Sequence, residues 1–364
     1  MRVIISGGGT GGHIFPAIAV AQSIKVLEPK AEILFVGAKG KMEMDIVPKA
    51  GFSIEGLWIS GFQRRLTLKN ISFPFKLVHS WINARKIIKQ FRPDVVLGFG
   101  GYASGPILNA AVNYKIPTLI QEQNSYAGVT NRILSKDVDI ICVAYPEMDK
   151  YFPKNKIHYT GNPVRKDIIN VDDLKDEAYK FLNLDPNKKT ISILGGSLGA
   201  KSLNESVKNN SSFLEMNNNI QIIWQMGKLY ESNYANCVSA KLQNVKPMTF
   251  IERMDYVYAV SDIVIARAGA LTVSELCLAK KAAILVPSTN VAEDHQTKNA
   301  NVLHKKNAAI VVKDINSEQL IKNAIELSKN ERQLQELSAE IAKLAKPNAA
   351  DDIAKLALSI VKKK

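Results

Sequence analysis

Val3-Ile4-Ile5-Ser6-Gly7-Gly8-Gly9-Thr10-Gly11-Gly12-His13 decides how this chain is read. A β-branched run passes into a glycine cluster, and an apolar helical pattern, Ala17–Leu27, follows at once. Strand, tight turn and helix in that order are the repeating unit of a parallel sheet, because a parallel neighbour is reached only through a crossover. Glycines let backbone amides approach an oxyanion, and the start of a helix adds positive potential. Gly7, Gly9 and Gly12 also satisfy G-x-G-x-x-G, but a dinucleotide site needs an acidic residue after the second strand. That strand ends Val36-Gly37-Ala38-Lys39, so a dinucleotide survives only as a 2′-phosphate reading through Lys39. His13 stands at the mouth of the helix, where α/β proteins bind ligands, and an imidazole there suits proton transfer.

Outward from this loop, Ile33–Val36, Val95–Gly98, Thr118–Ile120, Ile140–Ala144 and Ile157–Tyr159 read as further strands, with helices at Phe75–Phe91 and Gly105–Asn113. The rhythm then restarts with Thr190–Leu194, Ile222–Gln225, Thr249–Phe250, Asp262–Ala266, Ala283–Val286 and Ala309–Val311. Near-continuous apolar strands separated by helices imply α/β architecture: two doubly wound parallel-sheet domains. The first series ends near Gly161–Arg165, which sets the domains at 1–164 and 165–344. A polar linker follows the boundary, and terminal helices close the chain. The stretch 345–364 is a candidate to pack back on the first domain.

Composition supports packed domains. Of 364 residues, 46% are hydrophobic and 23% charged, which excludes disorder for the bulk of the chain. Forty-eight Lys and Arg against 34 Asp and Glu leave a formal charge of +14. That excess points to nucleic acid, an acidic membrane surface or a phosphorylated substrate, or to lysine-rich drift without a partner. Cys142, Cys237 and Cys277 form neither a disulfide framework nor a CxxC pair, as in a reducing cytosol. The two longest uncharged stretches, Val3–Ile24 and Val95–Tyr114, are interrupted by glycines and read as strand, turn and helix rather than membrane spans.

Leu194-Gly195-Gly196-Ser197-Leu198-Gly199 repeats the strand-to-loop device in the second half. No Lys-Ser/Thr follows, which argues against a P-loop NTPase. Ala266-Arg267-Ala268-Gly269 leads into Ala270-Leu271-Thr272-Val273-Ser274-Glu275, where a helix start can meet phosphate and Glu275 can bridge a ribose diol. Gln296 stands beyond the next strand and can bond sugar hydroxyls. A diphosphate loop with a diol-binding carboxylate suits a nucleotide sugar.

Gly8-Gly9-Thr10-Gly11-Gly12-His13, Gly100-Gly101-Tyr102-Ala103-Ser104-Gly105-Pro106, Glu122-Gln123-Asn124, Gly161-Asn162-Pro163-Val164-Arg165, Gly195-Gly196-Ser197 and Ala270–Glu275 occur in order over most of the chain. Together they resemble the MurG family of bacterial glycosyltransferases. The resemblance implies a GT-B fold, two Rossmann-like domains facing a cleft. It implies inverting transfer of N-acetylglucosamine from UDP-N-acetylglucosamine to the C4 hydroxyl of the muramyl sugar of lipid I, giving lipid II for peptidoglycan, with no cofactor. Carried over motif by motif, the donor contacts are Thr10, Gly11, Gly12, Asn124, Arg165, Ser197, Ile251, Ala270, Leu271, Thr272, Val273, Ser274, Glu275 and Gln296. The acceptor falls to the first domain and the donor to the second, and His13 and Glu122 are the candidate bases. Asp137-Val138-Asp139 precedes a strand, away from the ligand edge, and is read as a loop rather than a metal site.

No acidic residue lies between Glu55 and Asp94, while Arg64, Arg65, Lys69, Lys76, Arg85, Lys86, Lys89 and Arg92 do. Phe62, Ile71, Phe73 and Phe75 are interleaved, and Leu77, Trp81, Ala84 and Ile88 read as a core-facing stripe. Apolar groups ringed by bases suit an anionic lipid surface. The family resemblance strengthens this reading and implies a peripheral enzyme on the cytoplasmic face of the inner membrane. No nucleic-acid recognition motif accompanies the basic stretch. An epimerase acting on the same nucleotide sugar is the main enzymatic alternative; a transferase of this fold using another lipid acceptor and a non-catalytic basic binding protein are the others.

Overall fold

The computed structural model describes residues 1–60, 73–289 and 291–361. They form two compact units, one made of Met1–Arg165 with Asn348–Lys364 and the other of Lys166–Pro347. In the first unit, β1 (Arg2–Ser6), β2 (Glu32–Ala38), β3 (Ser53–Leu57), β4 (Val95–Gly98), β5 (Thr118–Glu122), β6 (Ile140–Val143) and β7 (Ile157–Tyr159) build one sheet. Its order is β3-β2-β1-β4-β5-β6-β7, and all of its pairings are parallel. In the second unit, β8 (Lys189–Leu194), β9 (Ile220–Gln225), β10 (Val245–Met248), β11 (Ile263–Ala266), β12 (Ala282–Leu285) and β13 (Ile310–Val311) pair in parallel in the order β10-β9-β8-β11-β12-β13. The strand order therefore reverses once in each sheet, between β1 and β4 and between β8 and β11. Such switch points open the crevices in which doubly wound sheets bind ligands.

Successive strand residues point to opposite faces, so both faces must be covered. Val3 and Ile5 pack with Ile14, Ala17 and Ala21 of helix Gly11–Leu27. Ile4 packs on the other face with Ala84, Ile88 and Ile107. The C-terminal helix Ala349–Ser359 lies in the first unit, where Ile353, Ala354 and Ala357 join Val3 and Ile5 in one core. Ser23 Oγ donates to Asp351 at 2.6 Å to fix its seat. The second unit buries Ile191, Ile193, Ile222 and Trp224 against Leu203, Val207, Leu320 and Ile321.

Three local expectations are corrected. Ser53–Leu57 is a strand that the pattern of apolar runs passes over, because β3 is an edge strand whose residues before the buried Leu57 are exposed or only partly buried. The strand expected at Thr249–Phe250 lies a few residues earlier, at β10. Trp81 is 45% exposed rather than core-facing. Helix Phe73–Phe91 turns Ser80, Ala84, Ile87 and Ile88 inward, and at 100° per residue Trp81 falls to the side of that stripe. Phe62, Arg64, Arg65, Lys69 and Ile71 lie outside the described residues, as does the side chain of Phe73. Asp139 sits at the amino end of β6, where its carboxylate accepts from the Thr118 amide at 2.8 Å and hydroxyl at 3.0 Å. Among the described residues no three His, Cys, Asp or Glu side chains gather as a metal site. No described helix is long and apolar enough to cross a membrane.

Burial pushes the Cys142 and Cys277 thiols up to about 12, while Cys237 is half-buried. A thiolate is the reactive form, so raised thiols are inert at ordinary pH. At pH 8 a thiol reagent should label Cys237 alone in the native protein and all three cysteines in urea, as counted by mass spectrometry.

Candidate active site

Gly7–Gly12 follows β1 at the first switch point. Thr10 ends the loop in extended backbone, and its carbonyl accepts from the His13 and Ile14 amides at 3.1 and 3.3 Å. His13 therefore occupies the first helical turn, with Nδ1 2.9 Å from the Gly8 carbonyl oxygen. A carbonyl only accepts, so Nδ1 carries the proton of the neutral ring and Nε2 keeps its lone pair. The neighbouring loop after β4 closes on this arrangement. Gly101 has φ +83°, and a Cβ there would lie 2.4 Å from the Gly8 oxygen. A Cβ on Gly100 would press the His13 ring at 3.1 Å. Close approach and conformation both require glycine at 101, and at 100 the left-handed backbone, φ +86°, favours it.

Beneath the loop lies Glu43, fully buried, which no sequence motif marks. Its Oε2 accepts from the Gly9 amide and its Oε1 from the Ala38 amide, both at 3.0 Å. It sits in a polar stretch at the start of helix Glu43–Lys49, and the only sequence trace is indirect: Cβ atoms on Gly8 and Gly37 would collide with its side chain at 2.1 and 2.6 Å. A small cavity of about 100 Å³ opens here, lined by Gly8, Gly9, Glu43, Lys41 and Tyr102 among others.

Glu122, at the end of β5, is buried with both oxygens occupied. Oε1 accepts from the Asn124 amide at 3.1 Å and its side-chain nitrogen at 3.5 Å; Oε2 accepts from the Gly128 amide and Asn131 Nδ2 at 2.9 Å each. Four donors on one carboxylate make a clamp that shapes the loop carrying Asn124. Gln123 Nε2 reaches the Phe99 carbonyl at 2.9 Å and ties this loop to the one after β4. Asn162 Nδ2 donates to the Gln123 carbonyl at 3.0 Å and anchors the segment leading to Arg165, which is exposed.

In the second unit, Ser197, Ile251, Ala270–Glu275 and Gln296 all lie on loops or helix starts at the carboxyl edge of the sheet. Ser197 is exposed in the loop after β8. That loop is held by the one after β9: the Gly196 amide donates to Gln225 Oε1 at 3.0 Å, and the Lys228 amide to the Ser197 carbonyl at 3.1 Å. Gly199 and Gly227 meet backbone to backbone, since a Cβ on Gly227 would lie 2.1 Å from the Gly199 nitrogen. Helix Ala270–Ala279 starts after β11, and Glu275 sits in its second turn. Buried Tyr258 donates to Glu275 Oε2 at 2.9 Å, a positioning contact that sequence reasoning missed because its two partners are 17 residues apart. Gln296 Oε1 accepts from the Ser288 amide at 2.9 Å, which aims its NH₂ group as a donor. Val273 and Ile251 have buried side chains, so each offers a ligand only its backbone. After Ile251, Arg253 grips Asp255 at 2.6 to 3.1 Å. Burial opposes ionisation of Asp255, but the guanidinium overrides it and holds the carboxyl below its ordinary value.

Residues 3–143 match the glycosyltransferase family 28 N-terminal domain, and residues 190–353 match the C-terminal domain of the same family. A relative from Cytophaga hutchinsonii, a UDP-N-acetylglucosamine–N-acetylmuramyl-(pentapeptide) pyrophosphoryl-undecaprenol N-acetylglucosamine transferase, is 51% identical over 99% of this chain and 97% of its own. The crystal structure of Acinetobacter baumannii MurG is similar with a TM-score of 0.78 at 31% identity, covering 99% of both chains. UDP-GlcNAc 2-epimerase from Neisseria meningitidis, solved with UDP-GlcNAc, reaches 0.69 at 15% identity over 99% of this chain and 100% of its own, a likeness of fold.

The backbone contact under the second loop is directly testable. Gly227→Ala combines φ +84° with overlap against Gly199, and left-handed strain alone costs roughly 1–3 kcal/mol. Gly40→Ala has φ +71° in open space, so it should lose only that strain. The urea midpoint should fall markedly further for Gly227→Ala.

Proposed function

The chain belongs to glycosyltransferase family 28, and from that membership we infer that it transfers N-acetylglucosamine from UDP-N-acetylglucosamine to the C4 hydroxyl of the N-acetylmuramyl sugar of undecaprenyl-pyrophosphoryl-MurNAc-pentapeptide, lipid I, to give lipid II for peptidoglycan. The observation that carries this reading is likeness over nearly the whole chain to transferases of that name, at an identity well above fold similarity. The test is product analysis with labelled UDP-N-acetylglucosamine. Label should enter lipid only when lipid I is present; isomerisation of the sugar nucleotide without acceptor would overturn the assignment in favour of an epimerase.

The half-site of the second unit suits the donor. Glu275, oriented by Tyr258, bridges the ribose hydroxyls; backbone at Ile251 reads uracil; Ser197 and the start of helix Ala270–Ala279 take the diphosphate; Gln296 donates to the sugar. On the first unit, Thr10, Gly11, Gly12 and Asn124 are the residues that the family resemblance assigns to the sugar. In the reaction the acceptor O4 attacks the anomeric carbon on the face opposite UDP. The C4 hydroxyl proton passes to His13 Nε2, the C1–O bond breaks, and its electron pair goes to the β-phosphate oxygen. Holding both reactants removes much of the entropic barrier. Glu122 acts here through the shape of the Asn124 loop, since its oxygens are already engaged.

Charge that develops on UDP must meet preorganised donors, and Arg165, Ser197 and the loop amides supply them without a metal. Loss of one such stabiliser typically costs ~3–4 kcal/mol of barrier. Arg165→Ala should therefore slow turnover by roughly a hundredfold or more, while EDTA leaves the wild-type rate unchanged; inhibition by EDTA that a divalent ion reverses would overturn the metal-free mechanism.

The lipid acceptor calls for a surface that meets anionic headgroups, as a peripheral enzyme on the cytoplasmic face of the inner membrane needs. Phe75, Val78, Trp81 and Ile82 are 72%, 55%, 45% and 61% exposed on helix Phe73–Phe91. At 100° per residue they share one arc with Arg85, Lys86 and Lys89, also exposed. The protein should float with anionic but not neutral liposomes, and the triple variant Phe75→Ser, Val78→Ser, Ile82→Ser should stay in solution. Nucleic acid is not part of this reading.

A further inference from the structure

The buried carboxylate under the first loop has a role that neither the donor nor the acceptor explains. Glu43 Oε2 accepts from the Gly9 amide at 3.0 Å, and His13 Nδ1 lies 2.9 Å from the Gly8 carbonyl oxygen. The Gly8 carbonyl and the Gly9 amide belong to one peptide group. Glu43 and His13 therefore hold opposite ends of the same peptide plane. A charged acceptor on the N–H polarises the amide and strengthens its carbonyl as an acceptor, and chains of hydrogen bonds reinforce one another in a desolvated site. The surroundings are built for this contact. Gly8 and Gly37 leave the space that Glu43 fills, Gly101 closes over the Gly8 oxygen, and the Ala38 amide at 3.0 Å holds the second carboxylate oxygen.

We propose that Glu43 is a positioning residue that, through the Gly8–Gly9 peptide, fixes His13 in the tautomer protonated on Nδ1, leaving Nε2 to receive the acceptor's proton. The catalytic part of this rests on the reading of His13 as the base. Glutamine at position 43 is nearly isosteric, but it brings one carbonyl and one NH₂ to two backbone donors and carries no charge.

The test is Glu43→Gln in full-length protein with ¹⁵N-labelled histidine. In the wild type at alkaline pH, long-range ¹H–¹⁵N spectra should show His13 protonated on Nδ1; in Glu43→Gln a substantial share should move to Nε2. The value of kcat should fall by roughly tenfold to a hundredfold, as when an outer partner that orients a histidine is lost, while KM for UDP-N-acetylglucosamine stays within about twofold, inside the spread expected when binding contacts are untouched. A wild-type tautomer in Glu43→Gln, whatever its rate, overturns the proposal, and a parallel rise in KM with no tautomer change assigns Glu43 a structural role only. His13→Ala at the wild-type rate would overturn the base reading separately. Should Glu43→Gln fail to fold, the wild-type spectrum still decides, because a ring protonated on Nε2 excludes the arrangement outright.

Discussion

The loops after the adjacent parallel strands β1 and β4 leave the sheet side by side, and the backbones of Gly8 and Gly101 meet with no space for a β-carbon on Gly101. The candidate base of the first unit, His13, is arranged around that contact. The His13 ring lies against Gly100, its Nδ1 rests on the Gly8 carbonyl, and Glu43 supports the same peptide from below. Left-handed backbone and a buried carboxylate both oppose folding. Two amides on Glu43 and the dense strand pairing around it offset that cost, and the result is an imidazole whose orientation does not depend on a mobile side chain.

The second unit uses the same topology with a different charge beneath it. Its glycine loop is tied down by Gln225, a neutral amide, and by backbone contacts from the loop after β9. The first loop is tied down by a carboxylate, which occupies the Gly9 amide and adds negative potential. Gln225 occupies the Gly196 amide as Glu43 occupies the Gly9 amide, but it brings no negative charge to the loop proposed to meet the diphosphate. An anionic clasp suits a loop that carries the proposed base. The two similar glycine motifs thus differ in the charge that holds them, and the distinction lies in residues well away from the glycines.

The parallel sheets, the restart of the pattern and the principal loops were legible because apolar β-branched runs and glycine clusters report strand and turn directly. What was not legible has a common physical cause. β3 is half-exposed at a sheet edge, so its pattern lacks the continuous apolar run of a central strand. Trp81 depends on the rotation of its helix, which the apolar spacing alone left undetermined. Glu43 and Tyr258 act through contacts with distant segments, 34 and 17 residues along the chain from the partners they hold, and nothing local distinguishes them from a surface glutamate or a core tyrosine. Glu122 lay within a recognised motif, yet its engagement with four donors is a property of the folded loop.

The return of helix Ala349–Ser359 to the first unit gives synthesis and folding an order. The second unit is one contiguous segment, Lys166–Pro347, whereas the first is built from both ends of the sequence. Val3 and Ile5 share a core with Ile353 and Ala354, from which the whole of the second unit separates them in sequence. Domains generally fold as units during synthesis, so the second unit has all its residues before the first does. The apolar face of β1 stays incompletely covered until helix Ala349–Ser359 has been made. The unit that begins first is thereby completed after the second, and the loop after β1 gains its full support only once helix Ala349–Ser359 has docked.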